Sequence, residues 1–240
     1  MIKLIPPKIT PYYLNEDRKL CDIVSHNKIL GDLNLHTDRY ADVSECYVTE
    51  LRDNKKKILG YEIFSFEDFY KNVFGYSIRV SPELRQKGFN LGELLRLSSI
   101  VEMFENNMQK IKIYSKDTAI YFHSKYKFQP AIETFKDRDE ALKSMAENPD
   151  NGIMTALSAK AKSLLEKLRK TQSPEEQRDA IAKTNEIAKQ YIEKALNSKE
   201  GYKAYPFEYG MGMELRKESV IENRDFYNEL FAKHGIDYQI

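Results

Sequence analysis

Hydrophobic and polar residues alternate from Tyr76 to Val80, and the pattern changes to a helical spacing from Leu91 onward. Tyr76, Ile78 and Val80 are separated by polar residues, which is the two-residue period of a strand with one buried face. Pro82 then ends the strand, because proline fixes φ and has no N–H for a ladder hydrogen bond. The leucines from Leu91 on recur at the spacing of an amphipathic helix. The pattern predicts a strand, a turn, a loop and a helix.

The rest of the chain shows the same two periods. Upstream, the pattern predicts a short strand at Ile2–Ile5 and a helix at Leu14–Leu30 that is ended by Gly31. It then predicts three strands, at Asp42–Leu51, Ile58–Phe66 and Val73–Val80. Downstream it predicts a helix at Gly92–Asn106, a strand at Lys110–Tyr114, a strand at Met211–Leu215 and a closing helix at Glu222–Phe231 with Phe226, Leu230 and Phe231 buried.

Residues 137–200 contain mainly helical patterns. One apolar stripe runs from Ile153 to Leu168, and another runs through residues 181–196. Ser173 and Pro174 form an N-terminal capping sequence with Glu175 and Glu176. The two stripes predict a helical hairpin. It packs on its own domain, covers a binding site as a lid, or forms a dimer contact, and the sequence leaves these alternatives open.

Composition excludes several classes of protein. The chain has 240 residues with 41% hydrophobic and 31% charged residues, which predicts a soluble, cytoplasmic globular protein without a membrane span. Its net charge of +1 argues against a general nucleic-acid-binding surface. Two cysteines are too few for a disulfide framework, and the four histidines show no metal-ligand spacing, so no metal site is predicted.

The loop between the strand and the helix has the chemistry of an anion site. Gly88 permits a positive φ and has no side chain to keep a ligand from the backbone. Asn90 also tolerates the left-handed conformation. The loop N–H groups and the helix N-terminus attract an anion such as a pyrophosphate, and Arg85 and Lys87 add positive charge.

Two motifs resemble those of the GNAT N-acetyltransferase superfamily. The first is the R-x-x-G-x-N loop from Arg85 to Asn90, where the family usually ends in Gly or Ala. The second runs from Ser115 to Phe128 and resembles the family's N-x-x-A-x-x-F-Y-x-x-x-G-F. Matching residues are Ala119, Phe122 and Phe128, and the departures are Lys116 for Asn, His123 for Tyr and Lys127 for Gly. The resemblance covers about residues 40–135 and 210–217.

The resemblance implies a fold and a cofactor. The fold is α/β, a mixed and mainly antiparallel sheet flanked by helices, with the helical hairpin inserted before the last strand. The chain forms a single domain over residues 1–240, in which 137–200 is the insertion and 218–240 a helical extension. Acetyl-CoA is the expected co-substrate, with its pantetheine along Ile78, Arg79 and Val80. Its pyrophosphate is expected at Arg85, Gln86, Lys87, Gly88, Phe89, Asn90 and Gly92.

The implied activity is transfer of an acetyl group from CoA to an amine, by direct attack of the amine on the thioester. His123 occupies the position where the family places a Tyr near the sulfur, so it is a candidate proton donor. Glu62, on the strand before the loop strand, is a candidate base. His36, Glu45 and Glu50 are further titratable candidates. The main alternative is a catalytically silent module that binds CoA or a protein partner. A homodimer is a further possibility.

Overall fold

The computed structural model describes residues 9–15, 18–41, 45–85, 87–147, 152–170 and 173–240. Contacts divide the chain into two compact units. Unit 1 contains residues 1–112 and 216–240, and unit 2 contains residues 113–215. The single domain predicted from the sequence over residues 1–240 stays a prediction.

Unit 1 contains a run of strands, each hydrogen-bonded antiparallel to the next along the chain. A register shift between Ile63 and Phe64 interrupts the pairing of the last two. The strands are β1 (Ile9–Asn15), β2 (Arg18–Asn27), β3 (Gly31–Arg39), β4 (Cys46–Arg52), β5 (Ile58–Glu67) and β6 (Asn72–Val80).

The helix predicted over Leu14–Leu30 is wrong, because β2 occupies most of that segment. Ile23 pairs with Leu35 of β3, and Cys21, Ile23 and Ser25 alternate toward the buried side. The buried Ser25 concealed the two-residue period, so the hydrophobic residues alone suggested helical spacing. The predicted strand at residues 2–5 lies outside the described residues.

A short helix α1 (Pro82–Arg85) and the loop after it connect β6 to the long helix α2 (Leu91–Glu105). α2 packs against β2, β4, β5 and β6, and its leucines are buried. Gly60 allows this close approach, because a Cβ there would lie 2.7 Å from the Arg79 carbonyl oxygen and 3.3 Å from Leu95. The start of α2 is therefore held against the end of β6.

The closing helix predicted over Glu222–Phe231 is confirmed as α8 (Arg224–Lys233), and a further short helix, α7 (Lys217–Glu222), precedes it. The buried residues of α8 are Tyr227 and Phe231. The prediction of Phe231 is confirmed. Phe226 and Leu230, also predicted to be buried, are only half-buried.

Unit 2 holds the helical hairpin. Strands β7 (Lys110–Ser115) and β9 (Met211–Arg216) cross the boundary between the units, and β8 (Gln129–Pro130) pairs antiparallel with β9. The helices are α3 (Ala119–Lys125), α4 (Phe135–Glu147), α5 (Thr155–Leu168) and α6 (Pro174–Leu196).

The predicted hairpin is confirmed as α5 and α6, which pack on each other and on α4. Ser173 caps α6 by accepting a hydrogen bond from the Glu176 N–H at 3.4 Å, and Pro174 begins the helix. Tyr191 of α6 is fully buried, with its ring centroid 5.5 Å from that of Phe207. The hairpin thus contributes to the core of unit 2.

The predicted fold class is confirmed: the chain is α/β, with a mainly antiparallel sheet flanked by helices. In the described part of the chain, no helix combines the length and apolarity required to cross a bilayer.

Candidate active site

The end of β6 and the loop after it form one connected structure in unit 1. Arg85 donates a hydrogen bond from its Nε to the Val80 carbonyl oxygen at 2.8 Å. Ser81 donates its N–H to the Leu59 carbonyl at 2.8 Å, which continues the β5–β6 pairing past the end of the strand. These bonds fix the Arg85 guanidinium beside the last residue of β6.

The loop adopts the left-handed conformation at two positions that are two residues apart. Gly88 has a φ of +70° and Asn90 a φ of +55°. Apart from its chain neighbours, no heavy atom of the described residues lies within 4 Å of where a Gly88 Cβ would be, so the backbone is open on that side. Asn90 is the N-cap of α2, but its side chain makes no capping hydrogen bond in the described structure. The N–H groups of the first turn of α2 therefore have no side-chain cap.

Most of the predicted pyrophosphate-binding residues lie at the surface of this loop. Arg85, Lys87, Gly88 and Asn90 are exposed, and the aromatic residue Phe89 is half-buried. Gly92, in the first turn of α2, is also half-buried, and Gln86 lies outside the described residues. Two cations and an uncapped helix N-terminus next to an open glycine give this loop the electrostatics of an anion site.

The predicted pantetheine-binding residues follow directly upstream on β6. Ile78 pairs with Glu62 and Val80 with Gly60, while Arg79 pairs with Tyr61. Arg79 is exposed, whereas Ile78 and Val80 are half-buried. The structure thus brings residues 78–80 and the loop together at one end of β6.

Glu62 is buried beneath α2. One of its carboxylate oxygens lies 3.0 Å from Arg96 Nη1, and the other accepts a hydrogen bond from Ser99 Oγ at 2.5 Å. Burial raises the pKa of the Glu62 carboxyl, while Arg96 and Ser99 act in the opposite direction. Each oxygen accepts one of these hydrogen bonds and keeps a second lone pair, but Glu62 is only 2% exposed, so proton transfer by Glu62 requires access to a buried carboxylate.

Arg96 and Ser99 are the residues that sequence reasoning missed. They lie on α2 at positions that the hydrophobic pattern assigns to the buried face, and both are 2% exposed. An arginine and a serine within a run of buried leucines signal a buried polar partner, which here is Glu62.

His123 lies in unit 2, on α3, and is only 8% exposed. Its ring contacts Phe122 edge-on at 5.0 Å and Phe128 at 5.5 Å between centroids. Tyr121 is fully buried and donates its hydroxyl hydrogen bond to the Tyr205 carbonyl at 2.5 Å. Burial raises the pKa of Tyr121, which makes it a poor proton donor. Tyr126 is half-buried and stacks edge-on against Phe122 at 5.1 Å.

Lys127 occupies the position where the second motif usually has glycine, and it adopts glycine's conformation. Its φ is +64°. Its N–H donates to the Ser124 carbonyl at 3.0 Å, and the next N–H, that of Phe128, reaches the His123 carbonyl at 3.3 Å. The turn that ends α3 and delivers the buried Phe128 therefore forms without glycine.

The other titratable candidates lie elsewhere on the sheet of unit 1. Glu45 is exposed just before β4. His36 of β3 pairs with Asp22 at 2.6 Å, and Glu50 lies opposite His36 on β4. Across the described residues, no group of three or more His, Cys, Asp or Glu side chains is arranged to hold a metal ion.

No family model matches the chain, and no curated protein matches it. Solved structures do. GCN5 from Tetrahymena is similar at 16% identity and a TM-score of 0.35, covering 38% of this chain and 56% of that one. A GNAT-family acetyltransferase from Staphylococcus aureus is 21% identical with a TM-score of 0.33, covering 37% and 56% of the respective chains.

A third similar structure is a GNAT-family acetyltransferase from Elizabethkingia anophelis with acetyl-CoA bound, at 14% identity and a TM-score of 0.35. It covers 42% of this chain and 78% of that one. The chain thus spans about half the length of the first two structures that it matches. The second and third of these solved structures are described as acetyltransferases of the GNAT family.

Proposed function

We propose that the protein transfers an acetyl group from acetyl-CoA to an amine. The observation that carries the proposal is the connection of β6 to α2. Two left-handed residues, Gly88 and Asn90, precede an uncapped helix N-terminus, beside the exposed cations Arg85 and Lys87. This arrangement suits a pyrophosphate, and the adjoining residues 78–80 suit an extended pantetheine arm that hydrogen-bonds as an added strand.

The acceptor amine attacks the thioester carbonyl carbon, the C–S bond breaks, and CoA leaves as a thiolate that takes up a proton. The attacking nitrogen loses a proton in the same sequence. We assign the proton donor to His123 and the base to Glu62, which acts directly or through water. We propose that backbone N–H groups near Val80 polarise the thioester carbonyl. Polyamines, antibiotics, peptide N-termini and lysine side chains are all candidate acceptors.

Binding of acetyl-CoA by the loop is tested with Gly88→Val. A β-branched residue is strained at φ +70°, and its side chain enters the open space beside the backbone. Gly201→Val is the matched control, since Gly201 has a φ of +76° and equally open surroundings in unit 2. Both variants are expected to lose similar stability.

Calorimetry with acetyl-CoA is expected to show binding to the wild type and to Gly201→Val, and at least about tenfold weaker binding to Gly88→Val. Equal affinity in all three proteins contradicts the loop assignment, and no binding to the wild type contradicts the function. Thiol release from acetyl-CoA across a panel of amines then tests catalysis. Binding without thiol release favours the silent CoA-binding module, which the Lys116 and His123 departures from the motif also favour.

A further inference from the structure

The sheet of unit 1 has two chemically different faces. Side chains alternate along each strand, so Thr37, Thr49 and Glu62 point toward α2 and are buried. Their neighbours His36 and Glu50 point to the opposite face and remain partly exposed. On this opposite face, strands β3, β4 and β5 line a groove of about 650 Å3. That volume lies within the range of about 300–1,000 Å3 found for small-molecule sites.

Strand register orders the lining of this β3–β5 groove. The β5 side is apolar or aromatic along its whole length, and the β4 side is polar at one end. Arg52 lies opposite Ile58, Glu50 opposite Tyr61, and Val48 opposite Ile63. On β3, His36 lies opposite Glu50 and Asp38 opposite Val48. An occupant therefore meets an apolar wall along one side and charged groups along the other.

The charges in the groove balance. Its lining includes two carboxylates, Asp38 and Glu50, and two guanidiniums, Arg39 and Arg52. A ligand of one sign gains little there, whereas a ligand with separated opposite charges and no net charge matches it. His36 adds a ring oriented by Asp22 and stacked on Tyr12 at 5.7 Å, so this part of the lining is preorganised.

Two groups at opposite ends retain bonding capacity. Arg52 contacts one oxygen of Glu50 through Nε, at 2.9 Å, and through Nη2. Asp38 accepts the Arg39 N–H through Oδ1 at 2.7 Å, and within the described residues its second oxygen has no hydrogen-bond partner and can accept from a ligand donor. From Val48, opposite Asp38, to Arg52 is four residues of β4, or about 13 Å. A peptide of about three or four extended residues has the same length.

We propose that the β3–β5 groove binds a short apolar peptide with free termini. Its ammonium group binds Asp38, its carboxylate binds Arg52, and its side chains pack on Ile58, Tyr61 and Ile63. The site is separate from the proposed acetyl transfer and requires no CoA. A peptide fits better than a single amino acid, because the two charged ends of the groove are too far apart for groups on one carbon.

The test is a titration of 15N-labelled full-length protein, without CoA, with the tripeptide Leu-Ala-Leu carrying free termini. Backbone amide signals of β3, β4 and β5 are expected to shift with saturation. N-acetylation or C-amidation of the peptide is expected to weaken binding on the order of three- to fivefold each, the effect of losing one partly exposed ion pair.

Two variants assign the ends. Asp38→Asn is expected to weaken binding of the free peptide but not of its N-acetyl form. Arg52→Gln is expected to weaken the free peptide but not its C-amide. Glu83→Gln, on the exposed α1, is the control and is expected to bind as the wild type does. Both site variants lie at the protein surface, and their spectra report whether the fold is intact.

Three results would overturn the proposal. The first is no shift in β3–β5 at saturating peptide. The second is equal binding of the free, acetylated and amidated peptides, which would leave only apolar contact. The third is self-association, seen as a rise in molecular mass with protein concentration, that prevents peptide binding and is lost in Ile58→Asp. This result would make the groove an interface between copies of the chain.

Discussion

Arg96 of α2 and Glu62 of β5 form an ion pair at 3.0 Å in which each side chain is only 2% exposed. Ser99 completes the cluster by donating to the second carboxylate oxygen. The pair joins α2 to β5, the strand that pairs with β6. A buried pair is costly to break from one side, because the remaining charge has no water to solvate it.

Arg96→Met is therefore expected to lower the free energy of unfolding by about 3–5 kcal/mol, measured by urea denaturation. The double variant Arg96→Met/Glu62→Leu is expected to recover much of this loss, because it leaves no unpaired charge. Lys57→Met, which breaks the exposed Lys57–Glu83 pair, is the control and is expected to have nearly wild-type stability. Equal stabilities of Arg96→Met and Lys57→Met would contradict the buried pair.

Glu102 of α2 predicts a specific dependence of stability on pH. It is fully buried, and burial raises its pKa to about 8, despite hydrogen bonds from the Cys21 N–H and Thr37. An unfolded Glu has a pKa of about 4.3. Between these values the unfolded chain releases the proton and the folded chain keeps it, so rising pH favours unfolding. The contribution of Glu102 to the free energy of unfolding is fully present below pH about 4 and is lost as the pH rises to about 8.

The measurement is the urea midpoint of wild type and Glu102→Gln at pH 5, 6, 7 and 8. As the pH rises, the free energy of unfolding of the wild type is expected to fall relative to that of the variant by at most about 1.4 kcal/mol per pH unit. Glu105→Gln removes a neighbouring carboxylate that also raises the Glu102 pKa, so its loss of stability is expected to end at a slightly lower pH than in the wild type. Parallel curves for wild type and Glu102→Gln would show that Glu102 is ionised in the folded protein.

Lys127→Gly is expected to stabilise the protein. A residue with a side chain is about 1–2 kcal/mol less stable than glycine in the left-handed conformation, so replacing it by glycine stabilises the folded state. Glycine also has more conformational freedom in the unfolded chain, which offsets part of this stabilisation. Thermal and urea unfolding are expected to show a net gain of up to about 1 kcal/mol. Lys160→Gly, the same substitution inside α5, is expected to lose about 1 kcal/mol. Destabilisation at both positions would mean that the Lys127 side chain contributes more than its backbone costs.

His123→Ala is expected to lower turnover by more than tenfold with nearly unchanged affinity for acetyl-CoA, since loss of a proton-transferring group typically costs about 10²–10⁴ in rate. His123→Tyr is expected to keep much of the activity. The measurement is thiol release with the best acceptor, alongside calorimetry with acetyl-CoA. Wild-type turnover of His123→Ala would assign the histidine to packing against Phe122 and Phe128.

The sequence predicted the connection from β6 to α2 well, because each part has a local cause. Pro82 ends the strand, Gly88 and Asn90 supply the left-handed residues, and the leucines after Leu91 define the helix. The cap at Ser173 and the hairpin are local in the same sense.

The parts that the sequence did not predict depend on distant partners. β2 is a strand because β1 and β3 pair with it on both sides, and a short apolar segment does not distinguish this from a helix. The burial of Glu62 depends on Arg96, 34 residues away. The β3–β5 groove depends on the register of three strands, although two of its titratable residues, His36 and Glu50, were candidates from the sequence.

The His234 carbonyl oxygen accepts hydrogen bonds from Ser25 Oγ at 2.8 Å and from the His26 N–H at 3.0 Å. Ser25 and His234 are 209 residues apart, and the chain between them includes all of unit 2. During synthesis on the ribosome, unit 2 is therefore complete before the last segment of unit 1 exists. Until that segment emerges, the newly made β2 lacks its C-terminal partner. The N-terminal part of unit 1 thus leaves the ribosome, and is exposed to chaperones and proteases, before the C-terminal segment that completes the unit has been made.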